Sequence, residues 1–342
     1  MQLFVVVIQQ DATLDLSIII VNWNVAELLT RCLESIYQSP ITLVAPDGTC
    51  MGEGPLTQVI VVDSASQDGS VEMLRERFGW VHLIQCEQNV GFVRGNNLGL
   101  KSATGRAVLL LNPDTEVLGD ALPRLMAVLN SDPKVGVVGP HTLNPDGTYQ
   151  QTRHHFPTLL IGIAESPWIS NIAPRRWLDW FFMRQMSNDA TFPVDWVKGS
   201  ALLARREVWE QVGSLDERYV MYSEEMDWCR RAKDAGWEIL YVGDAKIVHH
   251  EGQSSKQVKA RSHVHFQHSK LRYFRKFHGR WQAEIFRLAM VVNYANQIGI
   301  EAAKWSLGSQ RPLRWERVKA YWLVIRSLLW AGESIVLENK GK

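Results

Sequence analysis

Short apolar runs alternate with segments of helical periodicity from Leu16 to Val138. LSIIIV at Leu16 to Val21 is short, β-branched and continuously apolar, as in a strand covered on both faces. Ala26, Leu29, Leu33 and Ile36 then recur at spacings of three and four and predict an amphipathic helix. Ser39 to Thr57 carries three glycines and three prolines and is expected to be a loop. A second buried strand is expected at Val59 to Val62, ending in Asp63, and DSASQDGS at Asp63 to Ser70 is dense in turn formers and helix caps. The alternation continues with a helix to Phe78, a strand at Val81 to Ile84, a helix from Phe92 to Ala103 and a strand at Ala107 to Leu111. A helix at Ala121 to Leu129 and a strand at Val135 to Val138 complete it.

Apolar strands separated by helices predict an α/β fold with a mostly parallel central sheet and helices on both faces. Ligands in such sheets bind at the carboxyl ends of the strands. Three of those ends carry polar groups expected to converge: Asn22-Trp23-Asn24, Asp63-Ser64 and Asn112-Pro113-Asp114-Thr115. His141 to Pro193 reads as irregular. A second ordered block predicts a strand at Ala201 to Ala204, a helix from Glu224 to Ala235 and a strand at Ile239 to Val242. The chain is then basic, with two long amphipathic stretches, Trp281 to Trp305 and Leu313 to Trp330, that predict a C-terminal helical appendage.

Composition narrows the picture only a little. A chain of 342 residues fits one large domain with an appendage, or two modest domains. The formal net charge of +1 gives no field that points to nucleic acid. Cys32, Cys50, Cys86 and Cys229 form no C-x-x-C pair, which argues against a zinc knuckle or disulfide framework and suits a reducing compartment. MQLFVVVIQQ has no basic n-region, so no signal peptide is expected, and Leu288 to Ile300 is too short to span a bilayer.

The strand-end residues suggest a chemistry, each with a plainer reading beside it. Asp114 can hold a divalent cation that neutralises a diphosphate, or it can serve a turn. Asp63 can accept hydrogen bonds from a ribose or base, or cap the following turn. Gly91 and Gly95, with Arg94 and Asn97, can admit a phosphate, or simply begin a helix. Glu224 and Glu225 sit at a helix N-terminus, where ionised carboxylates are stabilised and one can act as general base. His249 and His250 follow the last strand, where an imidazole can join Asp114 in a mixed oxygen and nitrogen shell, or simply pack.

Taken in order, SIIIVNWN, VVDSASQDGS, NVGFVRGNN, LLLNPDT, VKGSALLARREVWEQVGSLDE, YSEEMDWCRR and HHEGQSS resemble a family-2 glycosyltransferase with the GT-A fold. The flavour is that of the bacterial rhamnosyltransferase-like branch, which builds cell-wall and surface polysaccharides. The resemblance covers Leu16 to Ser254 and implies a nucleotide-sugar glycosyltransferase domain at 15–254 and a helical region at 255–342. It implies inverting transfer of rhamnose or a similar sugar from a nucleoside-diphosphate sugar to a glycan or lipid-linked acceptor. It implies Mg²⁺ or Mn²⁺ at Asp114 and His249. Asn22, Asn24, Asp63, Arg94, Asn97 and Asn112 would bind the donor nucleotide, and Trp196, Gly199 and Ser200 the donor sugar or acceptor. The sequence departs from the family at two places. Asn112 stands where the D-x-D motif has its first acid, and Glu225 stands where the family has Asp as base, with Glu224 before it.

A nucleotidyltransferase would want a glycine-rich basic loop after the first strand, and VNWNVAEL has neither glycine nor lysine. A non-catalytic sugar-nucleotide binder or partner subunit stays open. So do two readings of SHVHFQHSKLRYFRKFHGRW and the helices after it. One is a cap on the catalytic domain or on a second copy. The other is a peripheral membrane contact, with Lys270, Arg272, Arg275 and Lys276 toward anionic lipid. The expected location is cytoplasmic, with the inner face of the cell membrane under the second reading.

Overall fold

The computed structural model describes residues 6–7, 13–166, 169–171, 173–250, 259–308 and 310–330. The first half runs β1 (Val6–Val7), β2 (Leu16–Asn22), α1 (Ala26–Tyr37), β3 (Thr42–Val44), β4 (Thr49–Gly52), β5 (Leu56–Asp63), α2 (Ser70–Arg77), β6 (Val81–Gln85), α3 (Gly91–Ser102), β7 (Ala107–Leu111), β8 (Thr115–Val117), α4 (Ala121–Ser131) and β9 (Val135–Leu143). It continues with β10 (Arg153–His154), α5 (Leu159–Ala164), a 3₁₀ turn (Ile169–Asn171), α6 (Arg175–Phe181), β11 (Phe192–Pro193), β12 (Trp196–Val197), β13 (Ala201–Arg205) and α7 (Arg206–Val212). The last elements are α8 (Glu224–Asp234), β14 (Glu238–His249), α9 (Lys259–Phe277), α10 (Arg280–Ser306) and α11 (Arg311–Trp330).

The continuously apolar runs are the centre of the sheet. β3 and β6 pair parallel with β5, β5 with β2, β2 with β7, and β9 with β14. All seven residues of β2 are buried, because α1 and α3 leave neither face of the sheet open there. The sheet is mixed, however. β13 lies antiparallel between β7 and β9, with Ala201 opposite Leu111 and Leu203 opposite Val138. Burial on both faces hides a strand's direction, so ALLAR reads from sequence like its parallel neighbours.

Two expectations are corrected by edge strands. The loop expected at Ser39 to Thr57 contains β3 and β4, whose alternation of buried Leu43 and Cys50 with half-exposed neighbours is too short to stand out among turn formers. There Gly54 has φ +134°, and a Cβ on it would lie 2.4 Å from the Pro40 carbonyl oxygen. The irregular stretch after His141 holds the end of β9, β10, α5, α6 and a 3₁₀ turn. β14 also outruns its expected Ile239 to Val242, with a shift of register between Val242 and Lys246 that carries it on to His249.

The chain divides into two units: Met1–His155, Gln185–Glu217 and Glu225–Ser254 form one, and Phe156–Arg184, Arg218–Glu224 and Ser255–Lys342 the other. The end of the HHEGQSS motif, from Glu251 to Ser255, and the domain boundary drawn there lie outside the described residues. The apolar start is likewise outside, except for Val6 and Val7. The second unit has its own core of Leu271, Phe274, Ala283, Phe286, Met290, Val324 and Leu328. Glu301, 4% exposed, joins α10 to α11 through Arg314 at 2.8 Å and Arg317 at 3.4 Å. Among the described residues no helix is long and apolar enough to cross a membrane.

The glycines of α3 serve packing. A Cβ on Gly95 would lie 2.7 Å from Val21 Cγ1, and one on Gly99 would lie 2.4 Å from Ile19 Cγ2, so both let the helix descend onto β2. Gly95 thus serves the packing of α3 on the sheet. Gly99→Val is expected to cost about 2–3 kcal/mol in urea unfolding, the upper range for overpacking. A variant as stable as the parent would show that α3 does not approach Ile19 this closely.

Candidate active site

β8 and β14 pair antiparallel, with Thr115 opposite His249. Asp114 is the residue before Thr115, so the register alone brings it beside the imidazole. Asp114 Oδ1 lies 3.2 Å from His249 Nε2, with both side chains under 10% exposed. Asn112 Nδ2 is 3.3 Å from the same nitrogen. On the other side of the ring, His249 Nδ1 lies 2.7 Å from Gln150 Oε1. The Gln150 amide nitrogen donates to Asn144 Oδ1 at 3.0 Å and to the His249 carbonyl at 3.3 Å, which leaves Oε1 as the acceptor for the imidazole. With Nδ1–H donated there, Nε2 is the ring nitrogen that faces Asn112 and Asp114.

Asp114 Oδ1 and Asn112 Oδ1 are buried and receive no hydrogen bond. Buried acceptors without donors are uncommon and call for a ligand or ion. Two oxygens and an imidazole lone pair suit a divalent cation that takes its remaining ligands from a diphosphate and water. Among the described residues no group of three or more His, Cys, Asp or Glu side chains is placed to hold a metal ion, so a cation here would have only Asp114 and His249 from that set. His250 is engaged elsewhere, 2.7 Å from Glu116 Oε1. Cys32 lies beneath this turn, 3.7 Å from Thr115 Oγ1, and burial pushes its thiol up to about 12.

At the neighbouring strand ends the polar residues form a knot. Asn22 Nδ2 donates to Asp63 Oδ1 at 2.8 Å and to Ser66 Oγ at 3.0 Å. Asp63 Oδ2 accepts the Ser66 N–H at 2.9 Å, and Asn24 Oδ1 accepts the Gln67 N–H at 2.7 Å. Asn24 and Ala65 both adopt left-handed backbone, at φ 53° and 59°. Asp63 is wholly buried and serves as the cap of this turn, while Asn22 Oδ1 remains without a donor. Asp68 reaches across to accept the N–H of Ala26 at 2.8 Å, supplying α1 with the cap that Val25 cannot provide.

Glu225 lies in the first turn of α8, a helix anchored by Trp228, which stacks on Trp209 at 3.9 Å and donates to the Gly213 carbonyl at 2.8 Å. Within the helix, Arg231 Nε donates to Asp227 Oδ2 at 2.9 Å, an i, i+4 pair. Gly199 lies directly against Glu225, where a Cβ would meet the Glu225 carboxyl carbon at 3.8 Å. Burial pushes the Glu225 carboxyl above the ordinary carboxylate range, against the opposing pull of backbone N–H groups, among them that of Gly199, and of the Lys198 charge. Its Oε2 receives no hydrogen bond. Ser200 links this group to the metal-type cluster, since its carbonyl accepts the Asn112 N–H at 2.9 Å.

The remaining candidates stand apart. Asn97 holds the loop before α8 through the Leu215 carbonyl at 2.9 Å, the Leu215 N–H at 3.1 Å and Glu217 at 3.2 Å. Arg94 is exposed and 3.4 Å from Glu217. Trp196 stacks on His154 at 4.1 Å and donates to the His155 carbonyl at 3.0 Å. Glu224 is buried and groups with the second unit. Gln150 and Ser66 were missed in the sequence. Ser66 lay within a recognised turn motif, whereas Gln150, 99 residues from its histidine, gave no signal.

The model of glycosyl transferase family 2 matches residues 17–206, more than half of the chain. The chain belongs to that family. It is 29% identical over 240 residues to the N-acetylglucosaminyl-diphospho-decaprenol L-rhamnosyltransferase of Mycobacterium tuberculosis (strain ATCC 25618 / H37Rv), covering 66% of this chain and 78% of that protein. It is 28% identical over 251 residues to the low-salt glycan biosynthesis hexosyltransferase Agl10 of Haloferax volcanii, covering 70% and 68%. Among solved structures, the mannosyltransferase PcManGT of Pyrobaculum calidifontis, in complex with GDP-Man and Mn²⁺, aligns with a TM-score of 0.50 at 18% identity, over 94% of this chain and 88% of that one. GalNAc-T7 with UDP, GalNAc and Mn²⁺ aligns with a TM-score of 0.50 at 15% identity, over 70% and 44%. These likenesses establish the GT-A fold of this family-2 glycosyltransferase, and its curated relatives make it rhamnosyltransferase-like.

The raised Glu225 carboxyl has a consequence for stability. A folded-state value above the unfolded one means that the folded chain binds more protons between the two, so stability falls as pH rises through that window. Glu225→Gln removes this cost. The variant is expected to melt higher than the parent at neutral pH, with the gain shrinking as pH falls below the ordinary Glu range. A gain in melting temperature that does not change with pH would contradict the buried carboxyl.

Proposed function

We propose that this family-2 glycosyltransferase moves rhamnose or a similar hexose from a nucleoside-diphosphate sugar to a hydroxyl of a glycan or lipid-linked acceptor, in cell-surface polysaccharide synthesis. The observation that carries the proposal is the connected set Glu225, Gly199, Ser200, Asn112, His249 and Asp114, which joins a carboxyl of raised proton affinity to a cation-type cluster. The relatives support the substrate class. The M. tuberculosis protein is named for rhamnosyl transfer to a lipid diphosphate sugar, and a 21% identical protein of Shigella flexneri is named a dTDP-rhamnosyl transferase.

In this reading the acceptor oxygen attacks the anomeric carbon of the donor sugar from the face opposite the diphosphate. The new C–O bond forms as the bond to the phosphate oxygen breaks, so the configuration inverts. The hydroxyl proton passes to the Glu225 carboxylate, the single base needed. A carboxyl with raised proton affinity is a better base than an ordinary one, but it must be ionised to act. Rate is therefore expected to fall with acidification at a higher pH than for an exposed glutamate.

Asp114 and His249 would hold Mg²⁺ or Mn²⁺, which supplies charge neutralisation to the departing nucleoside diphosphate. Gln150 keeps the His249 lone pair turned toward that cluster. Asn22 and Asn24 would meet the nucleotide, with Asp63 fixing the turn that presents them, and Arg94, Asn97 and Trp196 would contribute from the site's periphery. The chain would work in the cytoplasm at the inner membrane face, where a lipid-linked acceptor is presented.

A donor screen by thermal shift with thymidine, uridine and guanosine diphosphate sugars, each with Mg²⁺ or Mn²⁺, is expected to show one stabilising base. Asp114→Asn should weaken donor binding and lose transfer. Glu225→Gln should retain donor binding and lose transfer by roughly 10²-fold or more, as for a positioned base. Transfer that survives Glu225→Gln would remove the base assignment. A parent chain that binds donor and transfers nothing would favour a non-catalytic sugar-nucleotide binder.

A further inference from the structure

The cations singled out on α9 are largely consumed within the second unit. Lys270 is buried and 2.6 Å from Glu165 Oε2, Arg272 lies over the Tyr219 ring, and Arg275 is 3.3 Å from Glu284. Of the four, Arg275 and Lys276 are exposed, and Lys276 lies over Phe277. α9 therefore presents fewer outward cations than its sequence suggests. A more extensive exposed surface, aromatic as well as cationic, is on the next two helices.

On α11, Trp315, Lys319, Trp322, Arg326 and Leu329 follow at spacings of four, three, four and three, and Trp330 adjoins them. That spacing places them on one face, and all six are exposed. Trp322 and Trp330 have ring centroids 6.4 Å apart, and Lys319 Nζ lies 5.9 Å from the Trp315 ring. The opposite face is already used, with Val324, Ile325, Ser327 and Leu328 buried. On α10, Trp281, Ile285, Leu288 and Val292 form an exposed stripe at the same alternation, Trp281 being 85% and Val292 65% exposed. Its opposite face is also buried, through Phe286, Met290 and Tyr294. Neither stripe is a core face left over.

The charges select the occupant. Residues 280–330 carry eight Lys and Arg against three Glu, in a chain whose net charge is +1. Of those carboxylates, Glu284 contacts Arg275 and Arg287, Glu301 contacts Arg314 and Arg317, and Glu316 is 2.9 Å from Lys319. A second copy placed face to face on α11 would set cations against cations. Anionic lipid meets both features, because tryptophans settle at the headgroup boundary while Lys and Arg reach the phosphates.

We infer that the exposed faces of α10 and α11 form a docking surface for an anionic lipid bilayer, centred on Trp315, Lys319, Trp322, Arg326 and Trp330. The inference rests, for its purpose, on the lipid-linked acceptor reading above. The chain lies on the bilayer and does not span it. Tryptophan side chains enter the boundary region, and the surface brings the enzyme to acceptors confined to that plane.

The test is flotation of the full chain with vesicles of phosphatidylcholine, with and without phosphatidylglycerol, at low and high salt. The parent is expected to float with the anionic vesicles, more weakly at high salt. Trp322→Ser with Trp330→Ser, and separately Lys319→Glu with Arg326→Glu, should each reduce the bound fraction ratio by roughly tenfold or more. Lys101→Glu, an exposed lysine of α3, should not. The charge-reversal pair leaves the tryptophans in place, so a folding defect in one variant would not decide the matter. A parent that stays off anionic vesicles at low salt overturns the inference, as do variants that bind within twofold of it. A parent that is dimeric by light scattering, with monomeric tryptophan variants, assigns the face to a second copy and overturns it too. Transfer to a lipid-free acceptor should be the same in parent and variants. Its absence from the parent would strike the transferase reading and leave the vesicle result standing.

Discussion

The antiparallel pairing of β8 with β14 sets the geometry of the candidate site. His249 faces Thr115 in that ladder, so the adjacent Asp114 has its carboxylate 3.2 Å from the imidazole. The register is not arbitrary. β14 is twelve residues long and changes register on β9 between Val242 and Lys246, so its far end pairs with β8 and not only with β9. Without that shift the period-two alternation of the strand would turn His249 to the other face. Gln150 then engages Nδ1, so that Nε2 is the nitrogen left facing Asp114.

The inverted strand β13 couples this cluster to the carboxyl of Glu225. By running against β7, it ends the loop that carries Gly199 and Ser200 at the strand ends where Asn112 begins its turn. Gly199 leaves room for the Glu225 side chain, and the stacked pair Trp209 and Trp228 fixes the helix that presents it. The same enclosure that raises the proton affinity of Glu225 holds it in one place. A glutamate is one methylene longer than aspartate, so its backbone must be set back for the carboxylate to sit in the same place, and a rigid helix start provides such a fixed origin.

The second unit solves a different problem. α10 and α11 each bury one face in a small aromatic core and leave the other exposed, with apolar and tryptophan side chains on both and cations among them on α11. In water such faces carry a cost, which a boundary between lipid and water removes. The α9 cations could not be separated from those of α10 and α11 in the sequence, because basic residues that pair internally look identical to those that face outward. Lys270 against Glu165, 105 residues away, is the clearest instance.

The sequence by itself determined the central strands, the helices between them and the polar residues at their ends. Burial on both faces demands unbroken apolar runs, and helices between them demand a 3.6-residue period, and both are local patterns. It also marked Asp114, His249 and Glu225 through ordered motifs. The tertiary structure decided what local pattern cannot carry. It set the direction of β13, because a strand buried on both faces has no polar side to betray it. It made Gly95 and Gly99 packing residues, because close approach to Val21 and Ile19 is a property of two elements together. It turned Asp63 into the cap of its own turn, assigned Asn97 to the loop before α8, and supplied Gln150 as the partner of His249 across 99 residues. Apart from the local turn at Asp63, the deciding contacts join positions far apart in the chain, where no periodicity links them.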